Sequence, residues 1–183
     1  MAKSIGIFVG SLRKESFSKK IAHSLIDMAP SGFEFKIIEI GELPMFNQDF
    51  DDHGQTPKSY TNFRQEVKAL DGFIFITPEY NRSIPGVLKN ALDVASRPYG
   101  QSAWDGKPGA VFSNSPGNLS GFGANHHLRQ CLTFLNVLIL QQPEVYLADI
   151  HKALGDDGKL QGSVKDFVQQ AVDAFIAWVN RVS

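Results

Sequence analysis

The fold is decided by the stretch Ile5-Gly6-Ile7-Phe8-Val9-Gly10-Ser11-Leu12-Arg13-Lys14-Glu15-Ser16-Phe17-Ser18. Its first five residues are mostly β-branched or aromatic, which predicts a short strand buried on both faces. From Phe17 the apolar residues follow the period of a helix, with further members at Ile21, Leu25 and Met28. A buried strand that leads through a short loop into an amphipathic helix is the repeating unit of a parallel α/β sheet.

The same alternation continues along the rest of the chain. Further strands are predicted in four apolar segments, at residues 33–40, 73–76, 110–112 and 137–140, the last of which resumes near Val145. Further helices are predicted over residues 60–70, 85–95, a segment that contains 128–135, and 164–179. We therefore expect one α/β domain over residues 1–183, a doubly wound five-stranded parallel sheet with helices on both faces.

The composition excludes several classes of protein. With 43% hydrophobic residues, the 183-residue chain can bury a full core without disulfides or metals. A net charge of -1 and the absence of a Lys/Arg run argue against nucleic-acid binding. The one cysteine, Cys131, excludes an intrachain disulfide and a cysteine-ligated iron–sulfur cluster. No apolar stretch suits a leader or a membrane span, so we expect a cytoplasmic protein without membrane partners.

The loop after the first strand has the character of a phosphate site. It joins a buried strand to a helix N-terminus, where free backbone N–H groups and the helix dipole favour an anion. Ser11, Ser16 and Ser18 add hydroxyl donors, and Arg13 adds a charged fork suited to phosphate. The loop contains neither G-x-G-x-x-G nor a P-loop, so we expect one monophosphate as its ligand. The alternative is a serine-capped helix beside a solvated arginine.

A second polar loop follows the third strand and reads Thr77-Pro78-Glu79-Tyr80-Asn81-Arg82-Ser83-Ile84-Pro85-Gly86. A planar heterocycle needs a flat surface and a few hydrogen bonds at its polar rim, which Tyr80, Asn81 and nearby backbone N–H groups can supply. The alternative is a tight turn that uses Pro, Asn and Gly for backbone reasons. Ligands of doubly wound sheets bind beyond the carboxyl ends of the strands. We therefore expect this loop, the phosphate loop and a third loop at residues 113–123 to meet.

Four motifs together resemble the NADPH-dependent FMN reductase family, and within it the bacterial chromate and quinone reductases. They are Gly-Ser-Leu-Arg-Lys after strand one, Thr-Pro-Glu-Tyr-Asn after strand three, the following Pro-Gly-Val-Leu-Lys-Asn-Ala-Leu-Asp, and Gly-Lys-Pro before strand four. The resemblance covers almost the whole chain. It implies a flavodoxin-like fold with strand order 2-1-3-4-5, non-covalent FMN and NAD(P)H as electron donor. It also implies a homodimer or homotetramer with the flavin near the subunit interface.

The resemblance also implies roles for individual residues. The FMN phosphate would be held by Ser11, Arg13, Ser16 and Ser18. The isoalloxazine would be lined by Pro78, Glu79, Tyr80 and Asn81, with Ser115 contacting it from the strand-four side. Two positions depart from the family pattern, since Ser18 stands where this branch often has Asn and Arg82 where an aromatic is common.

The expected activity is FMN-dependent reduction of a small acceptor such as a quinone, free flavin, chromate, or an azo or nitro compound. NAD(P)H and acceptor would take turns beside Tyr80, Asn81 and Arg82, which predicts ping-pong kinetics with no certain catalytic side chain. Backbone N–H groups of residues 113–117 are candidates for stabilising the negative charge that develops on reduction. Two alternatives remain, a non-catalytic flavin-binding regulator and an electron-transfer flavodoxin, whose usual acidic surface does not match the net charge of -1.

Other reactive side chains are expected to have structural roles. Cys131 lies on the apolar face of a helix, as a buried structural thiol does. His126 and His127 have no acidic or histidine partner one helical turn away, so no metal site is expected. Trp104 is expected to pack, although its loop could border the active site. The acidic cluster at residues 49–52 is expected to lie in a solvated loop.

Overall fold

The computed structural model describes residues 2–182, which form six strands and six α-helices. The strands are β1 (Lys3–Val9), β2 (Phe33–Ile38), β3 (Gly72–Thr77), β4 (Pro108–Asn114), β5 (Leu138–Ile139) and β6 (Val145–Leu147). The helices are α1 (Phe17–Asp27), α2 (Asp49–Asp52), α3 (Lys58–Lys68), α4 (Gly86–Ala95), α5 (Phe122–Phe134) and α6 (Gly162–Val182). No helix within the described range is both long and apolar enough to cross a bilayer.

The strands form one parallel sheet in the order β2-β1-β3-β4, and both β5 and β6 pair with β4. β5 lies beside the start of β4, where Leu138 is opposite Pro108, and β6 lies beside its end, where Val145 is opposite Phe112. The fifth position of the sheet is therefore divided between two short strands. Between them lies Pro143, which has no N–H to donate to a strand ladder. The predicted order 2-1-3-4-5 is confirmed, and so is the resumption near Val145.

The central strands separate two apolar cores. On one face of the sheet, Phe8, Phe73 and Phe75 pack with buried residues of α3, α4 and α5. On the other face, Ile7 and Ile74 pack with buried residues of α1 and α6. Because successive residues of a strand point to opposite faces, a sheet covered on both sides needs unbroken apolar runs. The prediction of a doubly wound α/β sheet is confirmed.

Trp104 occupies the centre of the first core. It is fully buried, with ring centroids 5.0 Å from Phe73 and 5.1 Å from Phe8. Its indole N–H donates to the Leu92 carbonyl oxygen at 3.0 Å. The predicted packing role is confirmed, because the indole is enclosed by aromatic side chains of this core.

The prediction of a solvated loop for the acidic cluster is wrong in its secondary structure and for Asp51, whereas Asp49 and Asp52 are exposed as predicted. Residues 49–52 form α2, and Asp51 accepts two hydrogen bonds from the Arg64 guanidinium, at 2.7 and 2.6 Å. The Asp51 side chain is only 10% exposed. The hydrogen bonds from Arg64 hold the pKa of the Asp51 carboxyl below its usual value, although burial opposes them. This pair fastens the segment between β2 and α3 to the surface of α3.

Candidate active site

The candidate site is a cavity of about 230 Å³ at the carboxyl edge of the sheet. It lies where the strand order reverses between β1 and β3, the position at which doubly wound sheets bind ligands. The loops after these strands approach closely, since a β-carbon on Gly10 would lie 3.2 Å from Pro78 Cδ. The cavity is lined by Ser11, Arg13, Ser16, Phe17, Ser18, Pro78, Glu79, Tyr80, Asn114, Ser115 and Pro116.

The fold brings together every expected cofactor-binding residue except Asn81. Both Asn81 and Arg82 are exposed and lie outside the cavity lining. Asn114, which was not predicted as a site residue, is 2% exposed and lines the cavity. The Ser- and Gly-rich sequence predicted a polar loop from Ser113, whereas β4 continues through Ser113 and Asn114. A buried polar residue at the end of a central strand is the signal that would have identified it.

One end of the cavity, which carries the donors expected of a phosphate site, is built from the N-terminus of α1. Ser11, Ser16 and Ser18 are all at least 96% buried, although each lines the cavity, and Arg13 is exposed at its mouth. Ser16 caps the helix, since its Oγ accepts from the Lys19 N–H at 3.3 Å. The first turn of α1 contains no acidic residue, so no side-chain carboxylate there competes for the positive end of the helix dipole. Hydroxyls, a guanidinium and a helix N-terminus together suit a phosphate monoester.

The loop after β3 contains a two-residue turn at Asn81 and Arg82. Tyr80 and Ser83 exchange both backbone hydrogen bonds, at 3.0 and 3.1 Å. Asn81 and Arg82 both have positive φ, 52° and 67°, as in the tight turns of β-hairpins. Asn adopts this conformation readily, so the backbone alternative accounts for Asn81, whereas Arg adopts it at a cost. A strained, exposed arginine beside a cavity is a candidate for function.

Glu79 holds the same loop against α5. Its carboxylate accepts a hydrogen bond from the Ala124 N–H at 3.0 Å, in the first turn of the helix, and forms an ion pair with Arg82 at 3.3 Å. The Glu79 side chain is 12% exposed. An anion at a helix N-terminus is stabilised by the helix dipole. The Glu79 carboxylate therefore has a positioning role for the wall of the cavity that carries Tyr80.

The loop after β4 offers fewer free N–H groups than the sequence suggested. The Ser115 N–H donates to the Leu147 carbonyl oxygen at 3.0 Å, and the Gly117 N–H donates to Ser115 Oγ at 2.9 Å. Pro116 has no N–H. The expectation that residues 113–117 supply charge-stabilising N–H groups is therefore wrong for these three positions, because the loop uses its donors to hold its own shape.

The two adjacent histidines of α5 contact two other segments of the chain. His127 Nδ1 lies 2.8 Å from Ser83 Oγ, so α5 contacts the turn at Asn81 and Arg82 a second time. His126 Nε2 lies 3.0 Å from the Tyr146 hydroxyl and stacks on that ring. Within residues 2–182 no group of three or more His, Cys, Asp or Glu side chains is placed to hold a metal ion.

Replacement of Cys131 with serine is expected to cost about 1 kcal/mol of unfolding free energy and to leave turnover per bound FMN unchanged. Cys131 is half-buried in a groove between α4 and α5 and does not line the candidate cavity. Burial raises the pKa of its thiol, which disfavours the reactive thiolate. Urea unfolding and flavin-normalised rates measure the two effects, with Cys131→Ala as the matched variant. Loss of turnover with FMN still bound would show that the thiol takes part in the reaction.

Comparisons with known proteins find quinone reductases and a flavoenzyme among the proteins that are similar to this chain. A quinone reductase from Pseudomonas putida is 51% identical over 97% of this chain and 95% of its own. A 2-hydroxy-1,4-benzoquinone reductase from a Burkholderia species is 43% identical over 98% of both chains. Among solved structures, the flavoenzyme FerB from Paracoccus denitrificans, an NAD(P)H:(acceptor) oxidoreductase, has a TM-score of 0.92 at 37% identity and covers 99% of each chain.

The family model for NADPH-dependent FMN reductase matches residues 4–152. The match includes β1 to β6 almost completely and all three loops that surround the cavity. This match, together with the sequence identity to the quinone reductases, shows that the chain belongs to the NADPH-dependent FMN reductase family.

Proposed function

We propose that this enzyme reduces quinones with electrons from NAD(P)H, and that its FMN binds in the cavity of about 230 Å³. The observation that carries the proposal is the meeting of a phosphate-type loop and a tyrosine-bearing loop in one cavity at the switch point of the sheet. The quinone reductases similar to this chain supply the substrate class. Free flavin, chromate, and azo or nitro compounds are the competing acceptors, and kcat/KM for each would rank them.

The residues present fit FMN. Ser11, Ser16 and Ser18 would donate to its phosphate from the buried side, while Arg13 would close over the phosphate from the solvent side. When bound, FMN supplies the hydride chemistry, so the protein needs no acid–base pair of its own. The protein's part is to bind and orient, and Tyr80, held by the turn and by Glu79, would form one wall beside the ring.

The donor and the acceptor would use the same exposed face in turn. Tyr80 is 45% exposed and the Arg82 side chain is 74% exposed, so the rim of the cavity on this side is open to large ligands. A second polar cavity, of about 330 Å³, is lined partly by Arg64, Lys68 and Arg97 and shares no lining residue with the first. Arg64 is already neutralised there by Asp51. A nicotinamide bound in that cavity would not share a face with the acceptor.

Sharing of one face predicts ping-pong kinetics. Initial rates measured against NAD(P)H at several fixed concentrations of a small benzoquinone should give parallel double-reciprocal lines. Each substrate in excess should inhibit competitively against the other, because both would occupy the same place. Lines that intersect would imply a ternary complex and would contradict the shared face.

Replacement of Arg82 with alanine is expected to raise the KM for NAD(P)H by about 2- to 5-fold, which is the loss of affinity expected when one exposed ion pair is removed. The KM for the quinone should rise less. FMN content should not change, because Glu79 keeps its bond to the Ala124 N–H and so holds the loop. Arg97→Ala, in the second polar cavity, is the matched control. If Arg97→Ala raises the NAD(P)H KM and Arg82→Ala does not, the nicotinamide binds in the second cavity.

A homodimer or homotetramer is also part of the proposal. Tyr99 and Phe134 are 91% and 89% exposed, and aromatic residues are enriched where protein surfaces associate. Light scattering coupled to size-exclusion chromatography gives the mass in solution, and a monomer at all concentrations would contradict this part of the proposal.

A further inference from the structure

A buried amide at the end of β4 contacts the phosphate end of the cavity. Asn114 Nδ2 lies 2.9 Å from Ser18 Oγ and 3.4 Å from the Thr77 carbonyl oxygen. These contacts join the ends of β4 and β3 to the first turn of α1. Asn114, Thr77 and Ser18 are 2%, 0% and 1% exposed, so the three residues form a polar bridge shielded from solvent. Both Asn114 and Ser18 line the cavity.

The chemistry of these groups sets the direction of the hydrogen bonds. The Thr77 carbonyl oxygen can only accept, so the side of the Asn114 amide that faces it must be the nitrogen. An amide nitrogen can only donate, so Ser18 Oγ is the acceptor of its other hydrogen. The Ser18 hydroxyl therefore keeps its own hydrogen for another partner. Among residues 2–182 no protein atom accepts that hydrogen, and Ser18 is one of the residues that line the cavity.

We infer that Asn114 is a positioning residue for cofactor binding, which holds the Ser18 hydroxyl as a hydrogen-bond donor toward the FMN phosphate. The inference rests on the proposed assignment of this cavity to FMN. The Asn114 amide donates to Ser18 Oγ, as the Lys19 N–H donates to Ser16 Oγ. In each case the serine hydroxyl accepts one hydrogen bond, and its own hydrogen remains available to a ligand. Two serine hydroxyls of the phosphate end are thus oriented in advance, which lowers the cost of ordering them on binding.

The test is the affinity of the full chain, stripped of its flavin, for FMN and for riboflavin, measured by quenching of flavin fluorescence. Asn114→Ala is expected to weaken FMN binding by about 2- to 12-fold, the range for one hydrogen bond, and to change riboflavin binding little. Asn114→Asp has the same shape but accepts the hydrogen of Ser18 and adds a negative charge near the phosphate. It is expected to weaken FMN binding by about 10- to 150-fold, the range for a charged contact, and riboflavin binding much less.

A double-mutant cycle with Ser18→Ala separates positioning from a general structural effect. If Asn114 acts through Ser18, Asn114→Ala should cause almost no further loss of FMN affinity in the Ser18→Ala background. An equal loss in both backgrounds, or equal losses for FMN and riboflavin, would overturn the inference. Should the Asn114 variants fail to fold, Ser18→Ala alone must still lose affinity for FMN and not for riboflavin.

Two further variants distinguish this inference from the assignment of the cavity. If Arg13→Ala and Ser16→Ala weaken FMN binding but Asn114→Ala does not, the cavity is the FMN site and only the positioning role is wrong. If all three variants bind FMN as tightly as the parent chain, FMN binds elsewhere and the inference fails with the assignment.

Discussion

Replacement of Arg13 with alanine is expected to weaken FMN binding by about 10- to 150-fold and to leave riboflavin affinity nearly unchanged. Arg13 lines the mouth of the cavity beside the N-terminus of α1, and within residues 2–182 no carboxylate forms an ion pair with it. Its charge is therefore available to a phosphate. Because the side chain is exposed, solvent screening favours the lower end of the range. Fluorescence titration with the two flavins measures both affinities.

The neighbouring Lys14 provides a matched control for Arg13. It carries the same charge, is exposed, and does not line the cavity. Lys14→Ala should therefore change FMN affinity far less than Arg13→Ala at physiological salt. Equal losses in the two variants would show that only the general positive potential of the loop matters. Equal losses of FMN and riboflavin affinity in Arg13→Ala would show that Arg13 does not serve the phosphate.

Replacement of Trp104 with alanine is expected to cost about 3–5 kcal/mol of unfolding free energy, the usual range for a buried large aromatic side chain. The substitution leaves a cavity among the aromatic rings of Phe8, Phe63, Phe73 and Phe75 and removes the donor of the Leu92 carbonyl oxygen. The melting temperature should fall by about 2–4 °C for each kcal/mol in a domain of this size.

The Trp104 experiment also tests how far the core and the site are independent. Turnover per bound FMN should be unchanged in Trp104→Ala below its melting temperature, because the indole does not line the candidate cavity. Trp104→Phe keeps most of the apolar contact and should lose less stability. A variant that unfolds normally but turns over slowly would place Trp104 in the active site.

The sheet could be predicted because its information is local. The apolar runs of β1 and β3 mark strands buried on both faces, and the periodicity of α1 and α6 marks amphipathic helices. Gly10, Ser11 and Ser16 lie between β1 and α1, so the loop that lines one end of the cavity could be located from sequence alone. The helix α2 is the part of the fold that local pattern did not indicate, because its residues were predicted to form a loop.

The contacts that shape the site could not be predicted, because they join residues far apart in the sequence. Asn114 and Ser18 are 96 positions apart, and Ala124 and Glu79 are 45 apart. Neither pair has a spacing that a helix or a turn would impose. The turn at Asn81 and Arg82 is local, and a tight turn was one of the two interpretations of this loop. Its two central residues could not be identified, because an Asn-Gly pair is the usual signal for such a turn.

The most direct test of the central claim is an anaerobic titration of the purified holoenzyme, in which the visible absorbance of the flavin is recorded after each addition. We expect the absorbance to bleach after one equivalent of NADH or NADPH for each FMN, and to return after one equivalent of a benzoquinone is added in the absence of the nicotinamide. Both half-reactions should be fast enough to account for the steady-state turnover. A flavin that NADH and NADPH fail to bleach, or that bleaches but does not pass its electrons to the quinone, would contradict the assignment of this protein as an NAD(P)H-dependent quinone reductase.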